Sequence, residues 1–80
     1  MAKSEVMETF ARNTAQMLKK RGISTQQLAD AINMDRSDVS KIVRGVRGCT
    51  LETAVAISKA LDVPISLLVD DFSKILSTAS

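Results

Sequence analysis

The 80-residue sequence has no histidine, tryptophan or tyrosine, and only one cysteine (Cys49), one proline (Pro64) and two phenylalanines (Phe10 and Phe72). Each scarcity removes a class of function. With no imidazole and a single thiol, one chain cannot assemble a Cys/His metal cluster, nor the Ser/His or Cys/His pairs that activate a nucleophile. Cys49 has no intramolecular disulfide partner, which suits a reducing compartment. Two aromatics are too few for the stacking platforms that hold single-stranded nucleic acid. No apolar run approaches the roughly 18–20 residues that span a bilayer. The opening MAKSEVMETF lacks the apolar segment of a secretory signal. These absences predict a soluble, cytoplasmic chain with no membrane partner, no metal, no cofactor and no enzymatic activity.

Charge is nearly balanced. Eleven Lys and Arg face nine Asp and Glu, a net of +2. The chain is therefore not polycationic, and any basic patch depends on placement rather than on the total. Apolar residues make up 45%, enough for one modest core. A chain this short lies near the lower limit of independent stability, so a second subunit would add useful burial. A single domain over residues 1–80 is expected, without internal repeats or low-complexity linkers.

Spacings of three and four dominate over alternation, which predicts an all-α fold of five helices. The first runs from Ser4, as N-cap, to Arg21, with Val6, Phe10, Thr14, Met17 and Leu18 on its inner face. Lys19, Lys20 and Arg21 suit its negative end, and Gly22 closes it. Ser24-Thr25-Gln26-Gln27 has the capping-box form and opens a second helix. Leu28, Ala29 and Ile32 form its inner side, and Asn33 tolerates the left-handed turn that follows. Asp35 is the N-cap of a third helix reaching about Arg44, with Asp38 in its first turn and Val39, Ile42 and Val43 inward. Gly45 ends it, and residues 46–49 form a loop. Thr50 caps a fourth helix from about Leu51 to Leu61, with Leu51, Ala54, Val55, Ile57, Ser58 and Leu61 facing inward. Pro64 stands where a fifth helix can begin. Its apolar stripe continues from Leu67 and Leu68 to Phe72, Ile75 and Leu76, through or broken by Asp70-Asp71.

The segment from about Thr25 to Arg44 thus holds two short helices joined by a tight turn, a helix-turn-helix. Ala29 is small where the second helix of the pair must cross close by, Met34 plugs the turn, and Val39 and Ile42 seal the inner side. The other side of that second helix carries Arg36, Ser37, Ser40, Lys41 and Arg44. A polar, long-armed and mostly basic helix face of this kind suits a DNA major groove.

The stretch TQQLADAINMDRSDVSKIVRG, followed by LETAVAISKALDVPISLL, resembles the lambda-repressor/Cro-type helix-turn-helix family, also called xenobiotic-response-element type. The likeness covers roughly Arg12 to Val69. It rests on Leu28-Ala29, Met34, Val39, Ile42, Arg44-Gly45 and the closing Leu61-x-Val63-Pro64-x-x-x-Leu68, in order and without gaps. The resemblance implies a five-helix, lambda-repressor-like domain. It also implies a sequence-specific transcriptional regulator, a repressor, acting as a homodimer on a palindromic double-stranded DNA operator.

By the same resemblance, Arg36, Ser37 and Lys41 occupy base-reading positions, and Ser40 lies beside them within reach of a base edge or thymine methyl. Thr25, Gln26, Arg44, Arg47 and the backbone at Gly48 occupy phosphate-binding positions. Leu67, Phe72, Ile75 and Leu76, with the extension over residues 70–80, lie at the end through which the family dimerises. Asp38 has two readings, a partner of the helix N-terminus or an acceptor for a cytosine amino group. Lys19, Lys20 and Arg21 read more simply as a solvated helix end. Two positions depart from the pattern. Asn33 stands where Gly is common, and an Arg/Glu pair of the family is replaced by Leu18 and Val43, an ion pair exchanged for an apolar contact. The rival expectation is an interaction protein, such as an antitoxin with a toxin enzyme as its partner. RNA polymerase is a further candidate protein partner.

Overall fold

The computed structural model describes residues 5–69, and five helices follow one another there. They are α1 (Glu5–Arg21), α2 (Thr25–Ile32), α3 (Arg36–Val43), α4 (Leu51–Ala60) and α5 (Ile65–Val69), with no strand among the described residues. The fold is all-α, as the spacing predicts.

Local chemistry sets the boundaries. Glu5 and Glu8 occupy the positive end of α1, and Lys19, Lys20 and Arg21 its negative end. Ser24 and Thr50 cap α2 and α4, accepting from the Gln27 and Thr53 amides. Asp35 occupies the N-cap position of α3 with an extended backbone, but its side chain makes no capping hydrogen bond. The four longer helices all close in the same way. The residue after the last turn adopts a left-handed conformation: Gly22 (φ 66), Asn33 (φ 58), Gly45 (φ 75) and Asp62 (φ 56). Its amide, and that of the next residue, then bond back to carbonyls of the last turn, as in Ile23 N to Leu18 O and Val63 N to Ser58 O. This closure satisfies carbonyls that a helix end otherwise leaves bare.

Ten buried apolar side chains form the core: Phe10 and Leu18 from α1, Leu28 and Ala29 from α2, Val39 and Ile42 from α3, Ala54, Ile57 and Leu61 from α4 and its end, and Leu68 from α5. The most extensive helix–helix contact is α1 against α5; α2 packs on both α3 and α4, and α1 also meets α3. Two polar side chains of α1 fasten the C-terminal half. Arg21 donates to the Leu61 carbonyl at the end of α4. Asn13 donates to the Leu68 carbonyl at 3.0 Å and the Leu67 carbonyl at 3.3 Å.

Two inward assignments fail. Val6 is 57% exposed and Leu51 76%. Both stand in the first turn of their helix, where the stripe runs past the neighbouring helices. Met7, three residues before Phe10, packs on the core in place of Val6, close over Gly48. The buried side of α4 begins only at Ala54. Ser4 lies outside the described residues.

Thr14 is fully buried, and its Oγ1 has no hydrogen-bond partner among the described residues. A desolvated hydroxyl without a partner is costly, whereas a methyl of the same shape is not. Thr14→Val should therefore stabilise the domain by about 1 kcal/mol, seen as a higher urea midpoint at unchanged slope. A lower midpoint would mean that the hydroxyl finds a partner in solution.

Candidate nucleic-acid interface

The angle between α2 and α3 is fixed by small, local devices. The Gln27 amide donates to Ser24 Oγ at 3.0 Å, and the Ser24 amide to Gln27 Oε1 at 2.8 Å, completing the capping box. Asn33 turns the chain in the left-handed region, and Met34, half-buried, packs against the core beneath the turn. Ala29 is fully buried, with no side-chain bulk to push α3 away.

Val39 and Ile42 then seal the inner side of α3. Arg36, Ser37, Lys41 and Arg44 are exposed on its other side, and Ser40 is half-buried among them. The structure thus brings the expected base-reading residues onto one helix face. Arg44 lies back along the helix, its Nε donating to the Ser40 carbonyl at 3.4 Å. At the start of α2, Thr25 is half-buried and Gln26 exposed, and the Gln26 amide group donates to Asp30 Oδ1 at 2.8 Å. The Gln26 side chain therefore runs along its own helix, and the Gln27 amide is taken up by the cap.

The loop after α3 folds back on the helix. The amides of Val46 and Arg47 both donate to the Lys41 carbonyl, at 2.9 and 3.3 Å. Gly45 supplies the left-handed turn close to Ala11 of α1. Arg47 then reaches across to Asp38, its guanidinium donating to Oδ1 at 2.9 Å. Sequence reasoning missed this pair, because the two residues are nine apart and sit on different elements. The only prior signal was an acidic residue on an otherwise basic face. Cys49 is half-buried in the same loop. Burial pushes its thiol above the ordinary value, against the opposing influence of the Arg47 charge, so it remains a thiol near neutral pH.

The remaining predicted residues lie elsewhere. Leu67, on α5, is 40% exposed and borders an open hollow lined by Asn13, Gln16, Met17 and Lys20 of α1. Phe72, Ile75 and Leu76 lie outside the described residues. Lys19 and Lys20 are exposed at the end of α1, while Arg21 is drawn to the Leu61 carbonyl. Among the described residues there is no cluster of side chains suited to a metal ion. None of their helices is long and apolar enough to cross a membrane.

Comparison with known proteins agrees with this geometry. A family model described as helix-turn-helix matches residues 15–68. The restriction-modification controller protein C.AhdI from Aeromonas hydrophila superposes with a TM-score of 0.72 at 28% identity, over 80% of this chain and 94% of that one. The hypothetical transcription factor NHTF from Neisseria gives a TM-score of 0.80 at 22% identity, over 98% and 92% of the two chains. A point mutant of the restriction-modification controller protein C.Esp1396I gives 0.75 at 22% identity, over 98% and 95%. At 22% identity these last two bear on the fold alone. No curated protein matches the sequence. The family match spans both helices of the motif and the α4–α5 support behind them, and the chain belongs to the Cro/CI-type helix-turn-helix family of DNA-binding transcriptional regulators, which are not enzymes.

Proposed function

We propose that the protein is a cytoplasmic repressor that binds a palindromic DNA operator as a homodimer, inserting α3 of each copy into a major groove. The observation that carries this reading is the division of α3 into two faces. Val39 and Ile42 are sealed in the core, while Arg36, Ser37, Lys41 and Arg44 stand in solvent. Arg36, Ser37, Ser40 and Lys41 read base edges. Arg44, Arg47, Thr25, Gln26 and the Gly48 backbone fix the position on phosphates, with Gln26 acting through its amide. The exposed Leu67 and the apolar residues Phe72, Ile75 and Leu76 beyond it support a dimer contact at this end, within one domain over residues 1–80. The likeness to the C.AhdI controller supports a role in transcriptional control. In such a dimer the half-sites lie about one helical turn, roughly 34–36 Å, apart.

Selection of bound sequences from random duplex DNA tests the reading. A palindromic enriched motif is expected. Absence of enrichment would remove operator binding and favour a protein partner. On the selected site, Arg36→Ala should cost about 1–3 kcal/mol and relax preference at one base pair. Equal weakening on all duplexes would place Arg36 on a phosphate instead.

A further inference from the structure

The Asp38–Arg47 pair sets one charge of the DNA-facing surface against another. Under the reading above Arg47 meets a phosphate, yet its guanidinium is already held by a carboxylate at 2.9 Å. Asp38 sits in the first turn of α3, one turn before Lys41 and next to Ser37. The Arg47 and Asp38 side chains are 52% and 36% exposed, so an incoming phosphate can reach the guanidinium directly. The Arg47 backbone is anchored on the Lys41 carbonyl, so the exchange needs only a swing of its side chain. A phosphate oxygen offers the guanidinium the same charge-assisted bond as the carboxylate. A solvent-exposed pair is weakly held, so the exchange is accessible.

The exchange leaves the Asp38 carboxylate bare at the edge of the groove. Guanine and thymine present acceptors there, which repel it. Adenine pairs its amino group with an adjacent acceptor, N7. Cytosine alone presents an amino donor without a neighbouring acceptor. We infer that Asp38 is a specificity-determining residue, which holds Arg47 in the free protein and accepts from a cytosine amino group when Arg47 passes to a phosphate. Arg47 is thereby a conditional contact. Opposite the wrong base, Asp38 finds no donor and keeps the guanidinium, and one phosphate contact is not made. The carboxylate thus suppresses non-specific binding while it selects a base pair.

This inference rests on the DNA-binding reading, and the test separates the two. The full chain and its Asp38→Asn, Arg47→Ala and double variants are titrated by fluorescence anisotropy. The duplexes are the selected operator, a set in which each C·G pair is replaced in turn, and a random duplex. Asp38→Asn keeps the shape of the side chain at the small cost of a carboxylate in the first turn of α3, and circular dichroism checks that it folds. The wild type should lose about tenfold in affinity when one C·G pair is replaced. Asp38→Asn, whose amide group both donates and accepts, should tolerate adenine there with preference at the other pairs unchanged. Asp38→Asn should also tighten binding to random duplex about threefold to tenfold at low salt, and by less in the Arg47→Ala background. Unchanged base preference in Asp38→Asn, or equal tightening with and without Arg47, would overturn the role of Asp38. Failure of the wild type to bind any duplex would overturn the DNA-binding reading itself.

Discussion

Truncation of Phe10 to alanine should cost about 3–5 kcal/mol, close to the whole stability expected of a domain this small. Phe10 is only 1% exposed and is the largest of the fully buried side chains. It lies on α1, which meets both α5 and α3, and belongs to the core cluster, so its removal opens a void in the core rather than at a margin. Stability in proteins runs at roughly 0.05–0.15 kcal/mol per residue, and a core of ten side chains leaves little reserve. Urea denaturation followed by circular dichroism should show a midpoint near zero denaturant. A variant that keeps most of its stability would show that the α1 face is not where the core is built. DNA binding should fall as well, although Phe10 lies on α1 and not on the exposed face of α3. Excess operator should restore part of the folded population, because a ligand that binds only the native state shifts the folding equilibrium.

Leu18→Arg should be almost as damaging, at about 3–5 kcal/mol, through a different route. Leu18 is 5% exposed, and a guanidinium placed there leaves water without a partner. Val43, half-buried at the end of α3, packs against the same core, and α1 and α3 are in contact. The double variant Leu18→Arg, Val43→Glu supplies the missing carboxylate. It should recover at least about 1 kcal/mol of the loss, as coupled neighbours do. Strict additivity of the two changes, in the same denaturation experiment, would show that the side chains do not meet.

Features written in consecutive residues were legible in the sequence. The Ser24 capping box, the Thr50 cap, the glycine stops at Gly22 and Gly45 and the left-handed Asn33 each depend on neighbours a few positions away, and each is present. So is the two-faced character of α3, because a helix of known start fixes which residues share a side. Non-local features were not legible. Whether Val6 and Leu51 are covered depends on how far neighbouring helices extend, and spacing carries no such information. Asp62 closes α4 in the left-handed region, which Asp tolerates better than most residues, yet sequence reasoning did not mark it as the stop. Arg21 bonding to Leu61, and Arg47 to Asp38, are meetings that only the assembled fold creates. At the candidate interface, residue types marked the face. They marked Asp38 as well, but not that its carboxylate restrains one of the cations.

The fastening of α1 to the far end of the fold has a consequence for biosynthesis. Asn13 meets carbonyls 54 and 55 residues further along, and Arg21 one that is 40 residues on. A nascent chain cannot make the Asn13 contacts until α5 has left the ribosome, nor the Arg21 contact until Leu61 has. Until then α1 lacks α5, its most extensive partner, and Phe10 and Leu18 have no finished core to enter. Long-range closure of this kind comes late, after local helices have formed. Prematurely terminated translation products that stop before Leu68 should therefore carry the whole of α2 and α3 and still fail to hold them in place.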